Sequence, residues 1–242
     1  MVQSLEASLE RLGTDYVDLF WLHAWDFMTP VEEVMRGLDD LVRAGKVLYV
    51  GVSDTPAWIV SQANTLADLR GWSPFVALQI EYSLIERTPE RDLLPMARAL
   101  DLAVTPWGIL GSGVLTGKYN REGANDDGRA SEGRGQDPEM LRISGEVIAV
   151  ADDIGCTPTQ VAVAWLRHQP GVIIPLIGAR TLEQLKDNLN GLHISLNDQH
   201  LERLDEATRI DMGFPHEFLS REYIRNLTHA GTYALIENHR MR

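Results

Sequence analysis

Apolar segments typical of buried strands alternate with amphipathic segments typical of helices along most of this chain. Apolar segments begin near residues 17, 47, 75 and 102, and this spacing of about thirty residues is the length of one strand–helix unit. A further apolar segment at 172–177 predicts a fifth strand. Because strands that alternate with helices form parallel sheets joined by right-handed crossovers, the pattern predicts an α/β fold.

The helical segments carry start and stop signals. Leucines recur on one helical face of 3–12 and Gly13 follows, a residue type that commonly ends helices. The polar, glycine-rich segment 120–137 predicts a mobile loop. In the C-terminal tail 213–242 the apolar residues recur at neither helical nor strand spacing. We therefore predict a single domain over 1–242 with this loop and this tail. Helices are predicted over residues 3–12, 29–45, 56–70, 89–100, 138–154, 158–168, 181–190 and 197–209.

The order of elements fits two kinds of α/β fold, a (β/α)8 barrel of the TIM type and an open doubly wound sheet. No G-x-G-x-x-G turn follows any predicted strand, which counts against the dinucleotide-binding form of the open sheet. The chain has 242 residues, close to the length of about 250 that is typical of one barrel. We therefore predict the barrel and keep the open sheet as the alternative.

Composition excludes several classes of partner. The formal net charge is −13, so the surface repels nucleic acid and anionic membranes. The single cysteine, Cys156, excludes an internal disulfide framework. No apolar run is long enough for a transmembrane helix, and the first residues lack the pattern of a signal peptide. We therefore expect a cytoplasmic protein without nucleic-acid or membrane partners.

Residues with functional side chains follow the predicted strands. In a (β/α)8 barrel the residues just past the carboxyl end of each strand face one common site. Taken singly, these residues have structural interpretations, since Ser53 suits a turn and Trp107 suits a core. Arg180 lies beside a predicted helix start, and such a helix end binds phosphate groups. Together they predict a ligand site made of His23, Ser53, Asp54, Gln79, Trp107, the segment 108–113, Lys118 and the segment 178–181.

Five segments of the chain, in order, resemble the motifs of the aldo-keto reductase family. Within that family the resemblance is closest to bacterial reductases related to the β subunits of voltage-gated potassium channels. Because members are (β/α)8 barrels that hold a nicotinamide cofactor, the resemblance implies an incomplete barrel with strands 4–8 and their helices. The segments are 4–23, which ends in LFWLH, 51–54 (GVSD), 79–83 (QIEYS), 113–119 (GVLTGKY) and 178–188 (GARTLEQLKDN).

The resemblance also implies a role for each residue of the site. His23 orients the carbonyl group of the substrate by a hydrogen bond to its oxygen, and Trp107 stacks on the nicotinamide ring. Two positions depart from the family pattern, because residue 54 is Asp where many members have Asn and residue 108 is Gly where Ser is usual. The implied cofactor contacts are Ser53, Asp54 and Gln79 to the carboxamide, Gly108, Leu110 and Lys118 to the pyrophosphate, Arg180, Gln184, Asp187 and Asn188 to the adenosine end, and Gly178 as a further contact.

The resemblance implies NADP(H)-dependent, metal-free hydride transfer to a small aldehyde or ketone. It also implies that the family's catalytic Asp, Tyr and Lys belong to an N-terminal third of the barrel that this sequence lacks, so the chain alone is expected to turn over slowly. A non-enzymatic NADP(H)-binding or interaction protein and a truncated gene model both stay open. Because an incomplete barrel leaves two strand edges open, we also expect homo-oligomers through those edges.

Overall fold

The computed structural model describes residues 1–120 and 137–237. Its strands are β1 (Val17–Leu22), β2 (Val47–Ser53), β3 (Phe75–Glu81) and β4 (Ala103–Trp107). Its α-helices are α1 (Val2–Leu12), α2 (Val31–Arg43), α3 (Ala57–Arg70), α4 (Leu93–Ala99), α5 (Pro138–Ile154), α6 (Pro158–Arg167), α7 (Leu182–Asn190), α8 (Asp198–Ala207), α9 (His216–Ser220) and α10 (Glu222–Thr228). Short 3-10 helices lie at Thr88–Glu90, Gly111–Thr116, Lys118–Asn120, Gly191–His193 and Tyr233–Leu235.

The chain divides into two units, residues 1–209 and residues 210–242. The first unit contains β1–β4 and α1–α8. The second unit contains α9 and α10, which have 5 and 7 residues and are therefore too short to give the tail a periodic sequence pattern. The predicted mobile loop 120–137 lies almost entirely outside the described residues.

The four strands form one parallel sheet in the order β1-β2-β3-β4. Each connecting helix returns the chain to the same end of the sheet, so each new strand is added beside the previous one. The register shows this alignment, because Leu22 pairs with Val52, and Val52 in turn pairs with Leu78. The predicted α/β fold is confirmed, and the parallel sheet is consistent with an incomplete (β/α)8 barrel.

The segment 172–177 is not the regular strand that its sequence predicts. It lies parallel to β4, and a single isolated bridge joins Ile173 to Val104. The next hydrogen bond of a parallel ladder would have to be donated by residue 106, and Pro106 has no N–H. The prediction of a strand over 172–177 was therefore wrong, although the segment does follow β4 in the sheet order. Its backbone bonds to β4 are Val104 N to Val172 O (2.8 Å), Ile174 N to Val104 O (2.8 Å) and Leu176 N to Pro106 O (2.9 Å).

One face of the sheet forms the hydrophobic core together with the helices. Val50, Val52, Leu78 and Val104 on this face are at most 2% exposed, and they share one cluster with apolar residues of α1–α6 and α8. Burying a side chain of this size contributes about 1.5–3 kcal/mol. This helix-covered face therefore stabilises the first unit.

The opposite face of the sheet, which we call the barrel face, carries apolar side chains at one end of the strands and polar side chains at the other. Near the start of the strands it carries apolar side chains, and Leu19 and Tyr49 are 36% and 58% exposed. Near the carboxyl ends it carries polar side chains and Trp107. The strand register assigns to this face Leu19, Trp21, Tyr49, Gly51, Ser53, Ala77, Gln79, Glu81, Ala103, Thr105 and Trp107.

Gly51 allows the ring of Trp21 to pack closely against the backbone of β2 on the barrel face. A Cβ atom at residue 51 would lie 2.6 Å from two ring carbons of Trp21, well inside the carbon–carbon contact distance. We expect Gly51→Ala to lower the free energy of unfolding by about 1–3 kcal/mol through overpacking, seen as a lower melting temperature. Gly145→Ala is the matched control, because the nearest atom to its new Cβ is 3.9 Å away. Melting of Gly51→Ala at the wild-type temperature would contradict the prediction.

The apolar helices α5 and α6 belong to the core. Asp137 accepts hydrogen bonds from the backbone N–H groups of the first turn of α5, and Thr157 does the same for α6. Within the described residues no single helix has the length and composition to cross a membrane, and α5 and α6 meet that criterion only as a pair bent by 95°. Their side chains Val147, Val150 and Trp165 are fully buried.

Candidate functional site

The end of β2 holds a buried hydroxyl group that lacks a partner. Ser53 is 1% exposed, and its Oγ forms no hydrogen bond within the described part of the chain. Its backbone is fixed, because the Thr55 hydroxyl donates to Ser53 O at 2.8 Å. A buried polar group without a partner costs about 1–3 kcal/mol. A bound ligand, ion or water molecule can supply the partner that this buried hydroxyl lacks.

Four of the predicted site residues meet at the ends of β2, β3 and β4. The register pairs Ser53 with Gln79, so both side chains project from the barrel face. Asp54 bonds to both neighbours, because its N–H donates to Gln79 O at 3.1 Å and its Oδ1 accepts from Nε1 of Trp107 at 3.2 Å. The structure therefore brings Ser53, Asp54, Gln79 and Trp107 together, as the strand-end rule predicts.

His23 follows β1 at the same edge of the sheet. Leu22 pairs with Val52. His23 is the residue after Leu22, just as Ser53 is the residue after Val52. The His23 side chain is exposed. An exposed imidazole beside this cluster is accessible to a small molecule and can donate a hydrogen bond to it.

The loop after β4 turns tightly through residues with positive φ angles. Gly108, Gly111 and Gly113 have φ values of 67°, 53° and 97°, in the region that favours glycine. A Cβ atom at residue 108 would also lie 3.2 Å from Oε1 of Glu81. The positive φ and this close carboxylate both favour glycine at residue 108.

Lys118 lies against the same loop. Its Nζ is 3.4 Å from the position that a Cβ atom on Gly113 would take, and it lies 4.5 Å from the centre of the Tyr119 ring. The side chain of Lys118 is exposed, whereas Leu110 is half-buried. The loop thus places a cation beside a glycine turn in which the N–H groups of Gly111 and Gly113 already bond to Gly108 O and Leu110 O. A lysine at such a turn suits phosphate groups.

Two hydrogen bonds between Gln184 and residues 180 and 181 hold the start of α7. Thr181 Oγ1 accepts from the Gln184 N–H at 3.2 Å, and Gln184 Oε1 accepts from the Arg180 N–H at 2.8 Å. Asn188 is buried, and its Nδ2 donates to Gly178 O at 3.4 Å. These bonds resemble a capping box, and they fix segment 178–181 while the Arg180 side chain stays exposed.

Asp187 contacts α6. Its Oδ1 accepts hydrogen bonds from Thr157 Oγ1 at 2.8 Å and from Gln160 Nε2 at 2.7 Å. Because Thr157 is also the N-cap of α6, Asp187 ties α7 to the first turn of α6. The structure thus gives Asp187 a structural contact, and its predicted contact with the adenosine end of a cofactor stays a prediction.

A polar cluster behind the site escaped the sequence analysis. Tyr82 donates from its hydroxyl to Glu90 Oε1 at 2.8 Å, and its N–H donates to Trp107 O at 3.3 Å. Arg87 pairs with both Glu90 and Asp205, at 2.6 and 3.0 Å. The cluster therefore holds the segment after β3 in place and supports the backbone of Trp107.

The two tyrosines near this loop, Tyr82 and Tyr119, have buried hydroxyl groups. Burial raises the pKa of Tyr82, and the charge of Glu90 raises this pKa further. The hydroxyl of Tyr119 is buried and has no partner among the described residues, while the ammonium group of Lys118 lies over the face of its ring. Neither phenol therefore combines an accessible oxygen with a cation beside that oxygen.

Comparisons with known proteins agree with the sequence motifs. The profile described as "Aldo/keto reductase family" matches residues 1–209. The chain is 39% identical to norsolorinic acid reductase of Aspergillus flavus, over 98% of this chain and 61% of that protein. It is 36% identical to an aryl-alcohol dehydrogenase of Phanerodontia chrysosporium whose name specifies NADP(+), over 95% of this chain and 62% of that protein.

A third relative comes from Saccharomyces cerevisiae. The chain is 39% identical to the probable aryl-alcohol dehydrogenase AAD4, over 89% of this chain and 67% of that protein. The chain thus spans about 61% of the length of norsolorinic acid reductase. The resemblance that the motifs predict is confirmed, and the chain belongs to the aldo/keto reductase family.

Proposed function

We propose that the carboxyl ends of the strands bind NADP(H) and that this site serves reversible hydride transfer between the cofactor and a small aldehyde or ketone. One observation carries the proposal: the buried, unpartnered hydroxyl of Ser53 lies beside Gln79 and close to Trp107. Family membership and the NADP(+) in the name of one relative support the same class of cofactor. The bound cofactor would supply the hydride.

The nicotinamide carboxamide fits the donors and acceptors at this edge. The carboxamide has one oxygen that accepts and one NH2 group that donates. Ser53 Oγ and the Gln79 amide can donate to that oxygen, whereas the carboxylate of Asp54 can only accept from the NH2 group. An Asp at residue 54 is therefore compatible with the proposed site. Trp107 would pack against the ring, because its indole lies next to this polar edge.

The remaining cofactor contacts follow the two loops. Gly108, Leu110 and Lys118 would line the pyrophosphate, since the loop after β4 carries a glycine turn and one cation. Arg180, with Gln184 and Asn188 beside it, would contact the adenosine end. Asp187 and Gly178 would act there mainly through the bonds that fix α7 and segment 178–181.

His23 would contact the carbonyl oxygen of the substrate. The reaction also needs a proton at that oxygen, and general acid catalysis typically contributes 10²–10⁴-fold. Tyr82 and Tyr119 are unsuited to this step because their hydroxyl groups are buried. We therefore propose that the 242-residue chain binds the cofactor well and catalyses poorly by itself.

A non-enzymatic NADP(H)-binding protein is the second candidate function. A different observation favours it, because Tyr82 and Tyr119 beside the site have buried hydroxyl groups that are unsuited to deliver a proton. Calorimetric titration with NADPH and a turnover assay with aldehydes separate the two candidates. Binding that weakens in Ser53→Ala supports the proposed site in both cases. Binding without turnover, even at high enzyme concentration, favours the second candidate, and absence of NADPH binding contradicts both.

Arg180 is expected to select NADPH over NADH. Its exposed guanidinium next to the start of α7 can pair with the ribose 2′-phosphate, which only NADPH carries. We expect Arg180→Ala to weaken NADPH binding more than NADH binding by about 1–3 kcal/mol, the range of a charge-assisted hydrogen bond. Fluorescence titration of both cofactors measures this difference. Lys186→Ala on α7 is the matched control, and equal losses for the two cofactors in Arg180→Ala would contradict the assignment.

A further inference from the structure

We propose that the carboxylate of Asp54 makes this site favour the oxidised form of the nicotinamide cofactor, whose ring carries a positive charge, over the reduced form, whose ring is neutral. The inference rests on the proposed cofactor site and adds the redox form that the site prefers. It follows from where Asp54 is held, what its side chain contacts, and how its charge is balanced.

The backbone of Asp54 is held firmly at the end of β2. Its N–H donates to Gln79 O at 3.1 Å, and its φ of 42° lies in the left-handed region, which Asp tolerates better than most residues. The residue before it is buried, and the residue after it bonds back to Ser53 O. The side chain of Asp54 therefore leaves the sheet from a fixed point between Ser53 and Gln79.

The carboxylate is aimed at the edge of the indole. Trp107 donates from Nε1 to Asp54 Oδ1 at 3.2 Å, and this bond holds one carboxylate oxygen beside the nitrogen edge of the indole. Stacked aromatic rings have their centres about 4.5–7 Å apart. Any ring that stacks on Trp107 therefore has the negative charge of Asp54 within a few ångströms of it.

The described residues provide no countercharge for Asp54. It forms no salt bridge within 1–120 and 137–237, and its hydrogen-bond partner is the neutral indole. Lys118 lies instead at Gly113 and over the ring of Tyr119. The charge of Asp54 is thus screened by solvent, which reaches this exposed side chain, rather than by a neighbouring cation.

The size of the effect follows from Coulomb attraction. Attraction between a carboxylate and a positive ring charge about 5 Å away raises the affinity of the charged ligand by a factor of about four in bulk water. The factor is larger where the effective dielectric constant is lower. The exposure of Asp54 keeps the effect moderate. We therefore expect a contribution of about fourfold to thirtyfold to the binding of NADP+ relative to NADPH.

The test is calorimetric titration of the full chain with NADP+ and with NADPH at the same ionic strength. The quantity compared is the ratio of the two dissociation constants, because this ratio is independent of the active fraction of a preparation. Asp54→Asn removes the charge and keeps an amide oxygen as an acceptor for Trp107. It is expected to weaken NADP+ relative to NADPH by about fourfold to thirtyfold.

Two variants and one salt series make the test specific. Trp107→Phe removes the indole N–H but keeps the ring and the charge, so most of the preference should survive. Asp68→Asn neutralises an exposed carboxylate on α3, and the ratio should not change. In the wild-type chain, added salt should move the ratio toward that of Asp54→Asn, because the charge of Asp54 is exposed.

Each outcome has a distinct meaning. A ratio that stays the same in Asp54→Asn and across the salt series, while both cofactors bind, overturns this inference and leaves the proposed function intact. An equal shift of the ratio of dissociation constants in Asp68→Asn also overturns this inference, because the net charge of the chain, and not the position of Asp54, would then cause the preference. If neither cofactor binds the wild-type chain, the proposed function fails and this inference fails with it.

Discussion

The purified 242-residue chain is expected to reduce aldehydes and ketones at least about 100-fold more slowly than a chimera in which the N-terminal strands of a family member precede Met1. The reason is that the two phenols described near the site, Tyr82 and Tyr119, have buried hydroxyl groups. General acid catalysis is typically worth 10²–10⁴-fold, and loss of substrate positioning adds to that factor. Tyr82 cannot act as that acid, because burial and Glu90 raise its pKa. The measurement is NADPH oxidation under saturating aldehyde.

His23 provides the control for this first prediction. In the chimera, His23→Ala should lower turnover, since this side chain is proposed to orient the carbonyl group. In the 242-residue chain the same substitution should change an already slow rate only slightly. Rapid NADPH oxidation by the 242-residue chain, abolished by His23→Ala, would show that another group delivers the proton and would contradict the prediction.

The same chain is expected to self-associate at micromolar concentration. Among the described residues, β1 is the first strand of the sheet and pairs only with β2, so its other edge carries open backbone groups. At the opposite side, Val172, Ile174 and Leu176 are 57%, 52% and 42% exposed. Open apolar edges recruit other chains, and apolar surface left bare promotes association.

Sedimentation velocity over a concentration series measures the association. Leu19→Lys places a charge on the barrel face beside the β1 edge, and Ile174→Lys places one on segment 172–177, so each should shift the distribution toward smaller species. Asp18→Lys on β1 is the matched control, since it adds the same side chain without removing an apolar one. A single monomeric species in the wild-type chain at all concentrations would contradict the prediction.

The sequence predicts most elements closely because their signals are local. The predicted helix 138–154 coincides with α5, since Asp137 caps its start and Gly155 ends it in the left-handed conformation. The predicted helix 89–100 is instead divided into a 3-10 helix at Thr88–Glu90 and α4. Pro95 explains the division, because it lacks an N–H and its ring clashes with the residue four positions before it.

The site was predictable to the extent that strand ends define it. Ser53, Gln79 and Trp107 lie together because parallel strands place their carboxyl ends at one edge. The polar cluster of Tyr82, Arg87, Glu90 and Asp205 was not predictable. Arg87 and Asp205 are 118 residues apart, and the sequence around each of them gives no indication of the other. The contact of Asp187 with Thr157 and Gln160 joins two helices, and helical periodicity carries no information about such a pairing.

The anchoring of segment 178–181 has a consequence for how this family can diversify. Thr181, Asn188 and Asp187 hold the segment and its helix, and Arg180 contributes only its backbone N–H to these bonds. Any residue except proline can supply that N–H. The guanidinium, which we propose selects the coenzyme, makes none of these bonds. Residue 180 can therefore be exchanged without relocating the backbone around it.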